Sequence, residues 1–425
     1  MRVPLSWLGE YVDLPSDATP ASVMDQLVRV GFEEEAVHTF DVSGPLVVGQ
    51  VLEFVSEPQA NGKTIRWCQV QVAPDGQKAA DGGAPVRGIV CGASNFEVGD
   101  KVVVSLPGAV LPGNFAISAR STYGHTSDGM IASGRELNLS DDHDGILRLS
   151  TIGLDPEVGT DAIELLGLAD SAAEINVLPD RGYCLSIRGV AREYSHATGA
   201  QYRDPTGNAK PVPGEGFGLS VSDKTPIRDR KTSQSFILRT VTGIDASKPT
   251  PTWMRARLKL AGMRSISLAV DITNYVMLEL GQPVHAYDLD KIKGAFTIRR
   301  ATKGEVLKTL DGQERKLHEE DLLITDESGP IGLAGVMGGA STEVSETTTS
   351  VLIEAAHFDG ISIARTARRH KLFSEASKRY ERGVDPRVGE IAAARVIQLL
   401  EQHAGGKAGA LGATYSNFEP ETEVL

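Results

Sequence analysis

From residue 46 to about residue 150 the chain shows no helical period. Short β-branched runs at 47–51, 67–72, 86–90, 102–104 and 115–119 alternate with turns, and a loop at 73–85 is rich in Gly, Asp and Pro. Runs of that length bounded by turn residues read as strands. About five strands in a hundred residues predict a small closed barrel.

The flanking residues change character. Thr19 as N-cap, Pro20 at the first helical position, Val23, Leu27 and Val30 on one face and Gly31 past the end predict a helix. Residues 161–166 and 184–198 are also helical, with Arg188 and Arg192 on one face of the second. Residues 201–213, in which Pro, Gly, Asn and Asp recur, read as a linker into a larger α/β unit reaching about residue 403. Strands are expected there at 236–240, 296–301, 321–325 and 351–354, and helices at 252–262, from the cap Ser374 to Gly383, and from Asp385-Pro386 to Gly405.

At 425 residues the chain is too long for one ordinary core, and its length predicts roughly two to four domains. No apolar run nears the roughly 20 residues that span a bilayer, and the first residues lack the pattern of a signal peptide, so a cytoplasmic chain with no membrane partner is expected. Cys68, Cys91 and Cys184 are isolated and odd in number, which argues against a disulfide framework and a structural zinc site. A net charge of −13 argues on its face against a nucleic-acid partner. Its distribution qualifies that conclusion, because seven Lys or Arg and two acids, Glu375 and Glu381, fall between Arg365 and Arg382. Such a face can meet a phosphate backbone or simply be solvated. Arg365, Arg368, Arg369, Lys378 and Arg379 are the candidate RNA contacts.

The stretch 264–288, RSISLAVDITNYVMLELGQPVHAYD, holds the candidate site. One apolar run leads into Asp271, Thr273 and Asn274; a second ends at Gly281, and Pro283 then delivers His285 and Asp288. β-Branched segments with polar groups at their junctions suit a pocket on a rigid sheet, although a turn with one hydrogen-bonded histidine reads the same way. The run GLAGVMGG lacks the Lys-Ser/Thr ending of a phosphate loop, and neither an HExxH zinc motif nor a GxSxG nucleophile elbow occurs.

Taken together, VPLSWLGEYVDLP, RGVAREYSHATG, DITNYVMLELGQPVHAYDLD, LAGVMGG, LIEAAHFD and ARRHKLFSEASKRYERGVDP resemble the β subunit of bacterial phenylalanyl-tRNA synthetase. CGASNF, VGDKVVV, GHTSDGMIASGREL and DHDGIL resemble the tRNA-binding OB-fold module appended to several aminoacyl-tRNA synthetases. One segment departs from the family pattern: Asp180, Arg181 and Tyr183 stand where the family often has Asn-Arg and then Asp. The resemblance implies a multidomain α+β protein. Its parts would be a small helical N-terminal module (1–40, completed by about 151–200), an inserted OB-fold β-barrel (41–150), a mixed α/β editing domain (201–405), and the start of a truncated further domain (406–425). It also implies the N-terminal half of a longer subunit that binds the tRNA acceptor end and joins an α subunit in an α2β2 tetramer. ATP and magnesium would serve the full synthetase, with no cofactor and no metal ligand expected in this part.

The implied activity is hydrolysis of tyrosine wrongly esterified to the phenylalanine tRNA. A hydrophobic pocket that accepts Phe rejects an analogue with one added hydroxyl by only ~10²-fold, so a second site must read that hydroxyl. By the resemblance, Glu354 hydrogen-bonds the tyrosine phenol, while His285 either positions the attacking water or orients the terminal ribose. Thr273, Asn274 and Arg264 would line the same site and bind the tRNA end or a developing oxyanion. Gly338 and Ala376 would be small residues at the pocket wall, with Ser374 beside them. A non-catalytic tRNA-binding and assembly role is the alternative, and an unrelated α/β hydrolase lacks a recognisable nucleophile and base.

Overall fold

The computed structural model describes residues 1–141, 144–205 and 209–418. Parts of the DHDGIL motif, of the 201–213 linker and of the 406–425 segment lie outside the described residues. The chain is mixed α/β. Its N-terminal part is not only helical: strands Arg2–Pro4, Ser171–Asn176 and Glu33–Thr39 form an antiparallel sheet in that spatial order. Helices Leu5–Tyr11, Pro20–Val28 and Ile187–Thr198 accompany it. Thr19 caps the second helix in a reciprocal box with Ser22. The sheet escaped sequence reading because its longest strand, Glu33–Thr39, is mostly exposed and carries little apolar pattern.

The inserted β unit is a five-stranded antiparallel sheet, Met130–Ile131, Lys101–Ser105, Leu46–Pro58, Thr64–Gln71 and Val86–Cys91 in spatial order. Its two edges curl toward each other, with the Asp128 amide donating to the Gly88 carbonyl at 2.8 Å. The expected strand at 115–119 shrinks to the two exposed residues Phe115–Ala116, which pair with Val110–Leu111. Met130–Ile131 takes its place in the sheet.

Two five-stranded sheets build the remaining unit. The first runs Glu215–Gly216, Lys407–Ser416, Ser233–Thr242, Ser350–Phe358, Val284–Asp288, and the second runs Leu219–Ser222, Phe296–Arg300, Leu322–Asp326, Gly329–Leu333, Met337–Gly338. Lys407–Ser416 is thus an inner strand of the first sheet, its hydrogen bonds to Ser233–Thr242 being satisfied there. Alternation splits the first sheet's side chains. Leu352, Ala356 and Phe358 pack with Phe296, Ile298 and Leu323 of the second sheet. Val351, Ile353 and Ala355 pack against helices Leu268–Leu280 and Gly389–Ala404. The same core runs on into Trp7, Leu8 and Tyr11, with Trp7 stacked on Tyr275 at 4.1 Å, so the N-terminal part and this unit share one interior.

The stretch 268–280, read from sequence as apolar segments on a sheet, is a helix. Ser267 precedes it in extended conformation and Gly281 ends it at φ 78°. It is buried on nearly every side, so apolar residues are not confined to one face and the helical period is erased. Within it Glu279 is fully buried and is held by a bidentate pair with Arg395 at 3.0 and 3.2 Å. Removing one partner leaves a buried charge uncompensated. Arg395→Met is expected to destabilise the chain by about 3 kcal/mol, seen as an earlier thermal unfolding transition by circular dichroism. An unchanged transition would show that the pair is dispensable to the fold.

Candidate functional site

The strand Val284–Asp288 lies antiparallel to Ser350–Phe358 in a register that sets His285 directly opposite Glu354. Directly opposed residues project from the same face of a sheet. Tyr287 stands two residues further along and points the same way, and its hydroxyl donates to Glu354 Oε2. This face looks onto the second sheet. Between the sheets lies a cavity of about 90 Å³ lined by His285, Tyr287, Glu354, Gly338, Ala376 and Tyr380, among others. A water needs only roughly 10–15 Å³, so the space admits more than one.

Small residues make that space. A Cβ built on Gly338 would stand 2.6 Å from His285 Cε1 and 2.7 Å from Nε2, so the imidazole rests against bare backbone. Ala376 sits in the first turn of the helix Glu375–Arg382. Ser374 caps that helix by accepting from the Ser377 amide, and its own hydroxyl donates to the Val336 carbonyl at 2.9 Å. Ser374 therefore ties the helix to the cavity wall and is not itself part of the lining.

Burial controls the electrostatics. The Glu354 carboxyl is pushed up to about 7 by desolvation, opposed by the Tyr287 hydrogen bond. His285 is brought down to about 4 by desolvation, and its Nε2 is shielded without a hydrogen-bond partner. Near neutral pH the imidazole is thus uncharged, able to donate or accept one hydrogen bond toward the cavity. Tyr287 and Tyr380 are held well above the usual phenol range by burial and by the nearby carboxylate, so both remain donors.

His285, Glu354, Gly338 and Ala376, chosen from sequence, converge on this cavity; Arg264, Thr273 and Asn274 are not among its lining residues. Because 268–280 is a helix, Thr273 turns inward and its hydroxyl donates to the Val270 carbonyl. Asn274 is half-buried on the same helix. Arg264 lines a different cleft with Arg2, Arg255 and Lys259. Tyr287 and Tyr380 were missed. The period-2 alternation of a strand beginning near His285 was the available signal for Tyr287, whereas nothing local marks Tyr380.

The basic candidates also divide. Arg379 is almost fully buried, bonding the Leu185 carbonyl at 3.0 Å and Glu375 at 2.7 Å, which rules it out as a surface contact. Arg369 is engaged with Glu320 and Asp321. Lys378 is exposed, outside the groove that Arg365 and Arg368 share. That groove, of about 910 Å³, also presents Arg228, Arg230, Lys231 and Arg382. Its carboxylates Asp359 and Glu381 are paired with Arg230 at 2.6 Å and Arg368 at 2.7 Å. Among the described residues no group of three or more His, Cys, Asp and Glu side chains is placed to hold a metal ion. None of the described helices is long and apolar enough to cross a membrane.

Residues 232–405, which carry the cavity and most strands of the two sheets, match the family model described as the B3/4 domain. That part of the chain is therefore similar to a B3/4 domain. Over 420 residues it is 69% identical to the "Phenylalanine--tRNA ligase beta subunit" of Leifsonia xyli subsp. xyli, covering 97% of this chain and 50% of that protein. The protein of the same name from Streptomyces avermitilis is 59% identical over 418 residues, covering 96% and 48%. The chain belongs to the phenylalanine–tRNA ligase beta subunit family, and it spans about half the length of the curated relatives it matches. A solved N-terminal fragment of the phenylalanyl-tRNA synthetase beta-subunit from Pyrococcus horikoshii is 14% identical with a TM-score of 0.33, covering 64% of this chain and 78% of that one, an overlap too slight to argue from.

The His285 environment makes a direct prediction. Its proton is held less tightly in the fold than in the unfolded chain, so folding stability falls as the pH drops from 6.5 toward 4. Ring resonances followed by NMR are expected to titrate near pH 4. A midpoint near 6.5 would mean that the ring is solvated.

Proposed function

We propose that this chain is the editing and tRNA-contacting part of a phenylalanyl-tRNA synthetase β subunit, and that the cavity hydrolyses tyrosine wrongly esterified to the phenylalanine tRNA. The observation that carries this reading is the placement of a buried carboxylate opposite a neutral histidine in a small cavity walled by Gly338 and Ala376. A tyrosine side chain entering the cavity presents its phenol to Glu354. Phenylalanine leaves the carboxylate oxygen not held by Tyr287 desolvated and without a partner, which costs about 1–3 kcal/mol or more for a charged group.

His285 then faces the ester end. With its affinity for a proton lowered to about 4, it is a weak base. It suits holding a water or the terminal ribose through Nε2 better than removing a proton at neutral pH. The curled five-stranded sheet is read as the OB-fold module. The whole enzyme, with its α subunit in an α2β2 assembly, would attach phenylalanine to tRNA in the cytoplasm using ATP and magnesium.

Glu354→Ala should lower the preference for tyrosyl over phenylalanyl ester by roughly tenfold or more, following the cost of the lost partner. Gly338→Trp should abolish deacylation while the chain still unfolds cooperatively. Intact deacylation in Gly338→Trp would remove the cavity from the reaction. The other reading is a tRNA-binding and assembly piece without activity of its own. Binding of tyrosyl-tRNA without hydrolysis by the unaltered chain would select it.

The groove supports contact with the RNA backbone, because it gathers six cations against two already paired carboxylates in a chain of net charge −13. Arg228 makes no hydrogen bond or ion pair among the described residues. Lys231 reaches only the Asn417 carbonyl and side-chain oxygens. The double substitution Arg228→Ala, Lys231→Ala should weaken tRNA binding whatever the sequence, and reduce the slope of log affinity against log salt by about two. A slope equal to that of the unaltered chain would place the RNA elsewhere.

A further inference from the structure

We infer that Tyr287 is a positioning residue for the cavity: its phenol occupies one oxygen of Glu354 and leaves the other as the acceptor that meets a substrate phenol. The inference rests on the reading of the cavity as a tyrosine-editing site and deepens it by assigning how the carboxylate is aimed.

Tyr287 is two residues beyond His285 on the same strand face, diagonal to Glu354. Diagonal neighbours on a sheet face lie within reach of an aromatic side chain. The bond from Tyr287 to Glu354 Oε2 is the one hydrogen bond made by either side chain among the described residues. The ring cannot drift. It meets Phe296 edge-on at 5.2 Å and His285 at 4.5 Å, and the residue is 1% exposed. A carboxyl group with no such anchor rotates broadly about its last torsion, which is two-fold and soft. Anchored through Oε2, Glu354 presents Oε1 alone.

The charge of Glu354 depends on the same contact. The titratable groups facing it are His285 and Tyr287 from its neighbouring strand and Tyr380 from the helix Glu375–Arg382, while lining residues 332–338 bring no titratable side chain. His285 is uncharged near neutral pH and both tyrosines keep their protons. No cation therefore favours the ionised carboxylate, and burial opposes it. The Tyr287 hydroxyl is the one local interaction holding Glu354 in the acceptor form. A bound tyrosine would give the carboxylate a second phenol, one on each oxygen. A merely structural Tyr287, a core aromatic with its hydroxyl satisfied, would affect stability but neither the titration of Glu354 nor the choice of ester.

Two alterations of this chain separate these roles: Tyr287→Phe, which keeps the ring and deletes the donor, and replacement of Tyr287 by 3,5-difluorotyrosine, which strengthens it. The Glu354 carboxyl is followed by NMR with ¹³C-labelled glutamate, using Glu354→Gln to assign the resonance. Hydrolysis of tyrosyl- and phenylalanyl-tRNA is followed against pH. In Tyr287→Phe the midpoint should move up from about 7 by about one pH unit, and in the fluorinated chain it should move down. The tyrosyl preference of Tyr287→Phe should fall about fivefold at pH 7, with a smaller deficit above the shifted midpoint. An unchanged midpoint in both chains overturns the role of Tyr287, whatever the hydrolysis. A normal ester preference in Tyr287→Phe with a shifted midpoint overturns the specificity role. If the unaltered chain hydrolyses neither ester, the editing reading fails and takes the substrate half of the inference with it, while the titration still decides whether Tyr287 holds Glu354.

Discussion

The pairing of Val284–Asp288 with Ser350–Phe358 is the constraint on which the site depends. Side chains alternate across a strand, so a slip of one residue would turn His285, Tyr287 and Glu354 toward the helices and bring Ala286, Ile353 and Ala355 toward the second sheet. The register is held from both sides. Ile353 and Ala355 are fully buried against the helices, while Leu352 and Phe358 are buried against the second sheet. A polar cluster can sit in this interior because the apolar residues around it leave the strand only one way to lie.

Within that frame the cavity's chemistry follows from what is absent. Gly338 contributes no side chain, and the imidazole of His285 packs on its backbone. Among the described residues no lysine or arginine lines the cavity. Desolvation therefore acts unopposed on His285 and nearly so on Glu354, driving the first toward its neutral form and leaving the second poised near neutrality. Two groups on adjacent strands are thus shifted in opposite directions, unlike the partners of a structural ion pair. The contrast with Asp321 is instructive: that carboxylate is also fully buried, yet His370 and Arg369 hold it below the usual range, and it serves the packing of the helix Gly360–His370.

Charge is managed differently at the surface. The basic run 365–382 looked like one face, but folding distributes it among three tasks. Arg379 is spent in the interior, Arg369 in the Asp321 cluster, and Arg365 and Arg368 in a groove completed by Arg228, Arg230 and Lys231 from a distant loop. Sequence reading had no access to that loop's contribution, because nothing in its local composition links it to a helix more than a hundred residues later.

Local patterning determined much by itself. The capped helix after Thr19, four strands of the inserted β unit and the strands around Phe236, Phe296 and Glu354 follow from turn residues, caps and β-branched runs, which act over a few residues. The family motifs pointed to His285, Glu354, Gly338 and Ala376, all of which meet at the cavity. Only tertiary structure decided that 268–280 is a helix, since burial on nearly every side erased the period by which a helix is recognised. It alone removed Thr273, Asn274 and Arg264 from the cavity lining, and made Lys407–Ser416 an inner strand. It also brought Tyr287 onto Glu354. That contact needs two strands more than sixty residues apart in the chain to pair in one register, a condition that no local stretch of sequence can express.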